Sequence, residues 1–174
     1  MSNTVPPLKE RIIEKLNEAE FFLKKLEDLE NVDTSAIDEA QKHYRYYASA
    51  FLNAVRSPQQ YILEAMKQPD PNDSSGRKMY IPSARKNWYD TAVQNADPLP
   101  FIADERNLNI HQSITTPINN IVITFGAASA PTKTFTAEWS SYNGADKRVV
   151  SIAKAALAQI RKLVQEGFSQ GHIS

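Results

Sequence analysis

Leu8, Ile12, Leu16, Ala19, Leu23 and Leu26 recur at spacings of three and four, and most of what lies between them is charged. That period fits an amphipathic α-helix from about residue 7 to about residue 31 and no strand. Pro6 and Pro7 stand where a helix tolerates proline, at its start. A helix with one apolar stripe must bury it against a neighbour, and the next stretch supplies one. Asp33-Thr34-Ser35 can cap a second helix, whose stripe is Ile37, Ala40, Tyr44, Tyr47, Phe51 and Val55. Ser57-Pro58-Gln59-Gln60 predicts a kink or break, after which the pattern resumes through Tyr61, Ile62, Ala65 and Met66.

The rest of the chain divides by the same signals. Residues 68–78, QPDPNDSSGRK, hold two Pro, one Gly and a cluster of Asp, Asn and Ser, so a flexible loop is expected over about 68–80. A third helix starts near Pro82-Ser83 and includes Trp88, Tyr89 and Val93. Asp97-Pro98-Leu99-Pro100 opens a fourth, carrying Phe101, Ile102 and Leu108 to about His111. The pattern then changes. Asn119 to Phe125 is β-branched and aromatic, Lys133 to Trp139 alternates, and small residues join them. This is a β-hairpin insertion over about 119–139, which must pack on the helices or a partner. A last helix of about 145–168 presents Val149, Ile152, Ala153, Ala156, Ile160 and Val164, and a disordered tail is expected over 169–174. The fold class is mainly α: one domain, an up-and-down bundle of about five helices with a hairpin.

Composition removes several functions. The 174 residues contain no Cys, which excludes a disulfide scaffold, a thiolate metal site and a cysteine nucleophile. Three scattered His without H-E-x-x-H give no histidine zinc site, and no metal or other cofactor is expected. No phosphate-cradling glycine motif is present. No apolar run approaches the ~20 residues that span a bilayer, so no membrane partner is expected. The opening MSNTVPPLKERIIEKL lacks an apolar signal core, and a cytoplasmic location is expected. Twenty Lys and Arg balance twenty Asp and Glu. The balance is uneven, because residues 1–40 carry ten acids and five bases while the remainder carries ten acids and fifteen bases.

Chemistry concentrates in residues 104–111, Asp-Glu-Arg-Asn-Leu-Asn-Ile-His. Arg106 is a permanent cation that can fork onto a phosphate, and His111 can take or give a proton near neutral pH. Such a pair is a minimal set for cleaving a phosphodiester through a ribose 2′-OH without a metal. On a helix Asn107 and His111 share a face, as i and i+4, so Asn107 can orient the imidazole. Arg106 and His111 lie about 140° apart at ~100° per residue, so a helix end or a second protomer must bring them together.

Arg106-Asn107-Leu108-Asn109-Ile110-His111 resembles the active-site motif of the HEPN superfamily (higher eukaryotes and prokaryotes nucleotide-binding domain), which is Arg, a polar residue, several positions, then His. The aromatic-rich stretch from His43 to Ser57 also resembles the long helix of bacterial HEPN-like proteins. The likeness covers about residues 8–112 and 145–168, and the hairpin departs from the minimal bundle. What the resemblance implies is a metal-independent endoribonuclease or RNA-binding protein. It implies a homodimer whose two motif helices pool Arg106, Asn107 and His111 in one cleft. It also implies a toxin–antitoxin or phage-defence setting, with a protein partner of antitoxin or nucleotidyltransferase type. The alternative is a non-catalytic helical interaction or regulatory module. In that reading Arg106 pairs with Glu105 or Asp104, and His111 is a helix C-terminal residue favoured by the macrodipole.

Other candidates are weaker. Lys78, Arg85 and Lys86 could contact RNA phosphates near the loop. Tyr44, Tyr46, Tyr47 and Phe51 could stack bases, but their spacing fits core better, and His43 beside them fits a partly buried structural histidine.

Overall fold

A computed structural model describes residues 6–30, 37–104, 118–125, 133–139 and 142–173. The described residues form a mainly α bundle of five helices with a β-hairpin. α1 spans Leu8–Glu30 and α2 spans Ile37–Ala65. Two-residue strands β1, Gln68–Pro69, and β2, Met79–Tyr80, follow, then α3 at Ser83–Gln94. α4 starts at residue 99 and is described to residue 104. β3 (Ile118–Phe125) and β4 (Lys133–Trp139) precede α5, Val149–Ser169.

The α1 stripe read from the sequence is the buried face of that helix: Ile12, Leu16, Ala19, Leu23 and Leu26 are its buried residues. They meet Tyr44, Ala48, Phe51, Leu52 and Val55 of α2 and Val149, Ile152, Ala153, Ala156 and Ile160 of α5 in one core. At ~1.5–3 kcal/mol for each large apolar side chain fully buried, this three-helix seam is the main stabilising term. α1 and α5 also bridge by charge, Glu27 to Lys154 at 2.7 Å and Glu20 to Arg161 at 2.9 Å. The numbers run in opposite senses along the two helices, so they are antiparallel. Both pairs are exposed and each is worth at most ~1 kcal/mol. At the end of α1, Tyr44 donates to the Glu30 carboxylate at 2.9 Å. Burial pushes the Glu30 carboxyl above the usual range, and burial, with the negative Glu30 beside it, raises the Tyr44 phenol.

Of the kink or break expected at Pro58, the break does not occur: α2 runs as one helix through it. Proline removes one intrahelical donor, but its ring is buried here and the α2 stripe continues into the core on both sides, at Val55 and at Ile62 and Met66. The Ser57 hydroxyl donates to the Asn53 carbonyl at 2.8 Å in the same stretch.

The segment expected as a flexible loop is tied at its base by antiparallel β1–β2 pairing, Gln68 opposite Tyr80. Inside it the Asp73 carboxylate accepts from the backbone N–H groups of Ser75, Arg77 and Lys78. The hairpin expected at 119–139 is present as antiparallel β3–β4, with a bulge between Ile118 and Asn120. β4 is also flanked on its other side, where Trp139 N donates to the Lys147 carbonyl at 2.9 Å and Glu138 bridges Arg148. Ala137 and Trp139 point into the core and are fully buried, so the hairpin rests on α1 and α5.

The expectation of a disordered tail is also corrected. α5 ends in a Schellman motif: Gly171 takes φ +69°, its N–H donates to Phe168 and that of His172 to Gly167. The turn returns Ile173 against Gly167, where the side chain is 3% exposed, and stacks His172 on Trp88 at 4.3 Å between ring centres. Ile173→Ala is therefore expected to lower unfolding free energy by about 2–5 kcal/mol in urea denaturation; a free tail would leave it unchanged.

Candidate functional site

α4 delivers the chain into the Arg–His motif. Leu99 and Ile102 on its first turn are fully buried, which fixes that turn to the core. Between them Phe101 packs edge-on against Trp139 at 5.6 Å and tilts against Tyr142 at 5.0 Å. The Tyr142 hydroxyl donates to the Asp97 carboxylate just before the helix. The start of α4 is thus clamped to the end of β4 and the segment after it. A cavity of about 580 Å³ opens beside this clamp, lined by Asp97, Pro100, Phe101, Asp104, Tyr142 and Asn143 among others. Arg106 follows Asp104 by two residues in the sequence. Arg106, Asn107 and His111 themselves lie outside the described residues, as do the caps proposed for α2 at 33–35.

The weaker basic candidates are described. Lys78 is exposed and Arg85 is half-buried in the first turn of α3. Neither has a carboxylate partner among the described residues. Lys86 is engaged by Asp90 one turn on, at 2.5 Å. The Lys78 backbone N–H, with the Ser75 hydroxyl and further backbone donors, holds the Asp73 carboxyl below the usual carboxylate range. Of the aromatic candidates, Tyr44 and Phe51 are fully buried core, Tyr47 is half-buried beside His43, and Tyr46 is exposed. Stacking on bases is therefore closed to Tyr44 and Phe51.

The sequence reading missed a polar cluster around α2. Gln59 is fully buried and accepts from Arg56, and the Tyr89 phenol of α3 lies beside the same guanidinium. Arg56 with Gln59 at i+3 was the available signal, a polar pair next to Val55 and Pro58 on an otherwise apolar face.

Among the described residues no three His, Asp or Glu side chains gather as a metal-ligand set, and no helix is long and apolar enough to cross a membrane. Comparison of the chain with protein-family models, curated proteins and solved structures finds no match in any of the three.

The Asp97 hydrogen bond, then burial, raise the Tyr142 phenol from 10.0 to about 12. A tyrosine raised in the folded state stabilises below its unfolded value, and that contribution is lost as pH climbs through the folded value. Ultraviolet titration is expected to show one tyrosine ionising near 12, returning toward 10 in Asp97→Asn, and the stability gap between the two proteins is expected to close over that interval. An unchanged titration in the variant would show that the clamp does not form.

Proposed function

We propose that the chain is a HEPN-like, metal-independent endoribonuclease that works as a homodimer. The observation that carries this reading is the position of Arg106-Asn107-x3-His111: it directly follows the core-anchored first turn of a late helix in a mainly α bundle. A rigid lead-in of that kind is what a site needs if two protomers are to present the motif to one phosphodiester.

The chemistry follows from the residue types. His111 accepts the proton of a ribose 2′-OH, and that oxygen attacks the adjacent phosphorus. The P–O5′ bond breaks, leaving a 2′,3′-cyclic phosphate and a 5′-hydroxyl, the latter protonated by the same His111 imidazolium. Arg106 forks onto the non-bridging oxygens as charge builds there. Asn107 orients the His111 imidazole, and Lys78 and Arg85 supply flanking phosphate contacts. A nuclease of this kind must be restrained in its own cell, which fits a toxin–antitoxin or phage-defence setting with an inhibitory protein partner.

Arg106→Ala and His111→Ala are each expected to lower RNA cleavage by about 10²–10⁴-fold while leaving the melting temperature near that of the parent. Asn107→Ala is expected to cost less, because it acts through His111. Cleavage is expected to persist in EDTA, and light scattering is expected to give a dimer mass at micromolar concentration. Cleavage that survives without His111, or a strict monomer, would leave the interaction-module reading in its place.

A further inference from the structure

Four buried donors lack an acceptor among the described residues: Trp139 Nε1, and a group of three made up of Arg56 Nε, Gln59 Nε2 and the Tyr89 hydroxyl. Those three belong to one cluster. Arg56 donates to Gln59 Oε1, and Tyr89, 6% exposed, lies against the guanidinium, which pulls its phenol down against the stronger upward push of burial. The cluster contains no carboxylate, so it holds the Arg56 guanidinium in place without neutralising its charge.

Arg56 extends from this cluster to a groove of about 830 Å³ between the first turn of α1 and the last turns of α2. Leu8, Arg11, Gln60, Tyr61 and Glu64 line it with Arg56. The Arg11 guanidinium stands over the Tyr61 ring, 4.2 Å from its centre, which holds it at the groove without neutralising it. Glu64 is engaged by Lys67 at 2.7 Å. Arg148 and Arg161 are both tied to carboxylates, whereas neither Arg11 nor Arg56 has a carboxylate within ion-pair distance among the described residues. Two unneutralised guanidiniums therefore share one concave surface, backed by a core cluster with no acceptor to spare.

We propose that this groove is an oxyanion site that binds a phosphate group through Arg11 and Arg56. Guanidinium presents paired N–H donors that match phosphate oxygens, and two of them balance a phosphate dianion. The groove is larger than the ion and leaves room along Leu8 and Tyr61 for the molecule that carries it. Gln59 and Tyr89 position Arg56 from behind. The site is separate from Arg106 and His111 in sequence and does not rest on the ribonuclease reading.

The test is a titration of the full chain with inorganic phosphate, against sodium chloride at matched ionic strength, reading the arginine Nε–Hε resonances and thermal melting. A saturable downfield shift of the Arg56 resonance is expected, with a phosphate-dependent rise in melting temperature. Arg11→Gln, a change at a half-buried helix position, is expected to fold as the parent and to weaken binding about tenfold. Arg56→Lys is expected to lose the saturable response, and His111→Ala to retain it in full. An RNA oligonucleotide that displaces phosphate would assign the group to a nucleic-acid backbone; one that does not would assign it to a small phosphorylated molecule. A wild-type response no different from chloride, or Arg11→Gln binding as tightly as the parent, would overturn the site.

Discussion

Ile12, Leu16, Ala19, Leu23 and Leu26 of α1 can leave water only by packing on α2 and α5, and the rest of the structure is arranged around that seam. It sets α1 and α5 antiparallel and carries α2 through Pro58. It also provides the floor on which Ala137 and Trp139 seat the hairpin. β4 in turn holds α4 through the Phe101–Trp139 contact. The chain that enters the Arg–His motif is therefore positioned by a sequence of contacts that starts at the helix seam.

The uneven charge along the sequence has a structural use. The acid-rich first forty residues include Glu20 and Glu27, which face Arg161 and Lys154 of the later, base-rich part. Part of the positive excess after residue 40 thus pairs across the helices with acids of the first forty residues, and the chain as a whole carries no net charge. That limits nonspecific attraction to nucleic acid. Recognition of a phosphodiester would then depend on a few placed cations, and Arg11, Arg56, Lys78 and Arg85 are among the described ones in no ion pair with a described carboxylate.

The helices were legible because burial imposes a period that survives in the sequence: the buried residues of α1 are the ones its spacing selects. The hairpin was legible for the same reason, with β-branched and alternating stretches on either side of a small-residue connection. No break forms at Pro58 because local propensity is overridden when the residues on both sides are packed into a core. The docked tail was harder to see, since Ile173 is a single contact without periodicity, although a Gly just past a helix end is the usual mark of a Schellman turn. The Arg56–Gln59–Tyr89 cluster joins α2 to α3, and the i+3 spacing of Arg56 and Gln59 announces only its α2 half. The proposed Arg106–His111 site rests on its residue types in the sequence and on the anchored turn of α4 before it.

The central claim is that Arg106 and His111 of two protomers form one phosphodiester-cleaving site, and complementation tests it most directly. Arg106→Ala and His111→Ala proteins, each inactive alone, are mixed under conditions that exchange subunits, and RNA cleavage is measured against the wild type. The account predicts that the mixture regains a measurable part of wild-type cleavage, because a mixed dimer holds one intact Arg106 and one intact His111. A mixture as inactive as its parents, with subunit exchange demonstrated and the wild type active, would contradict a shared site.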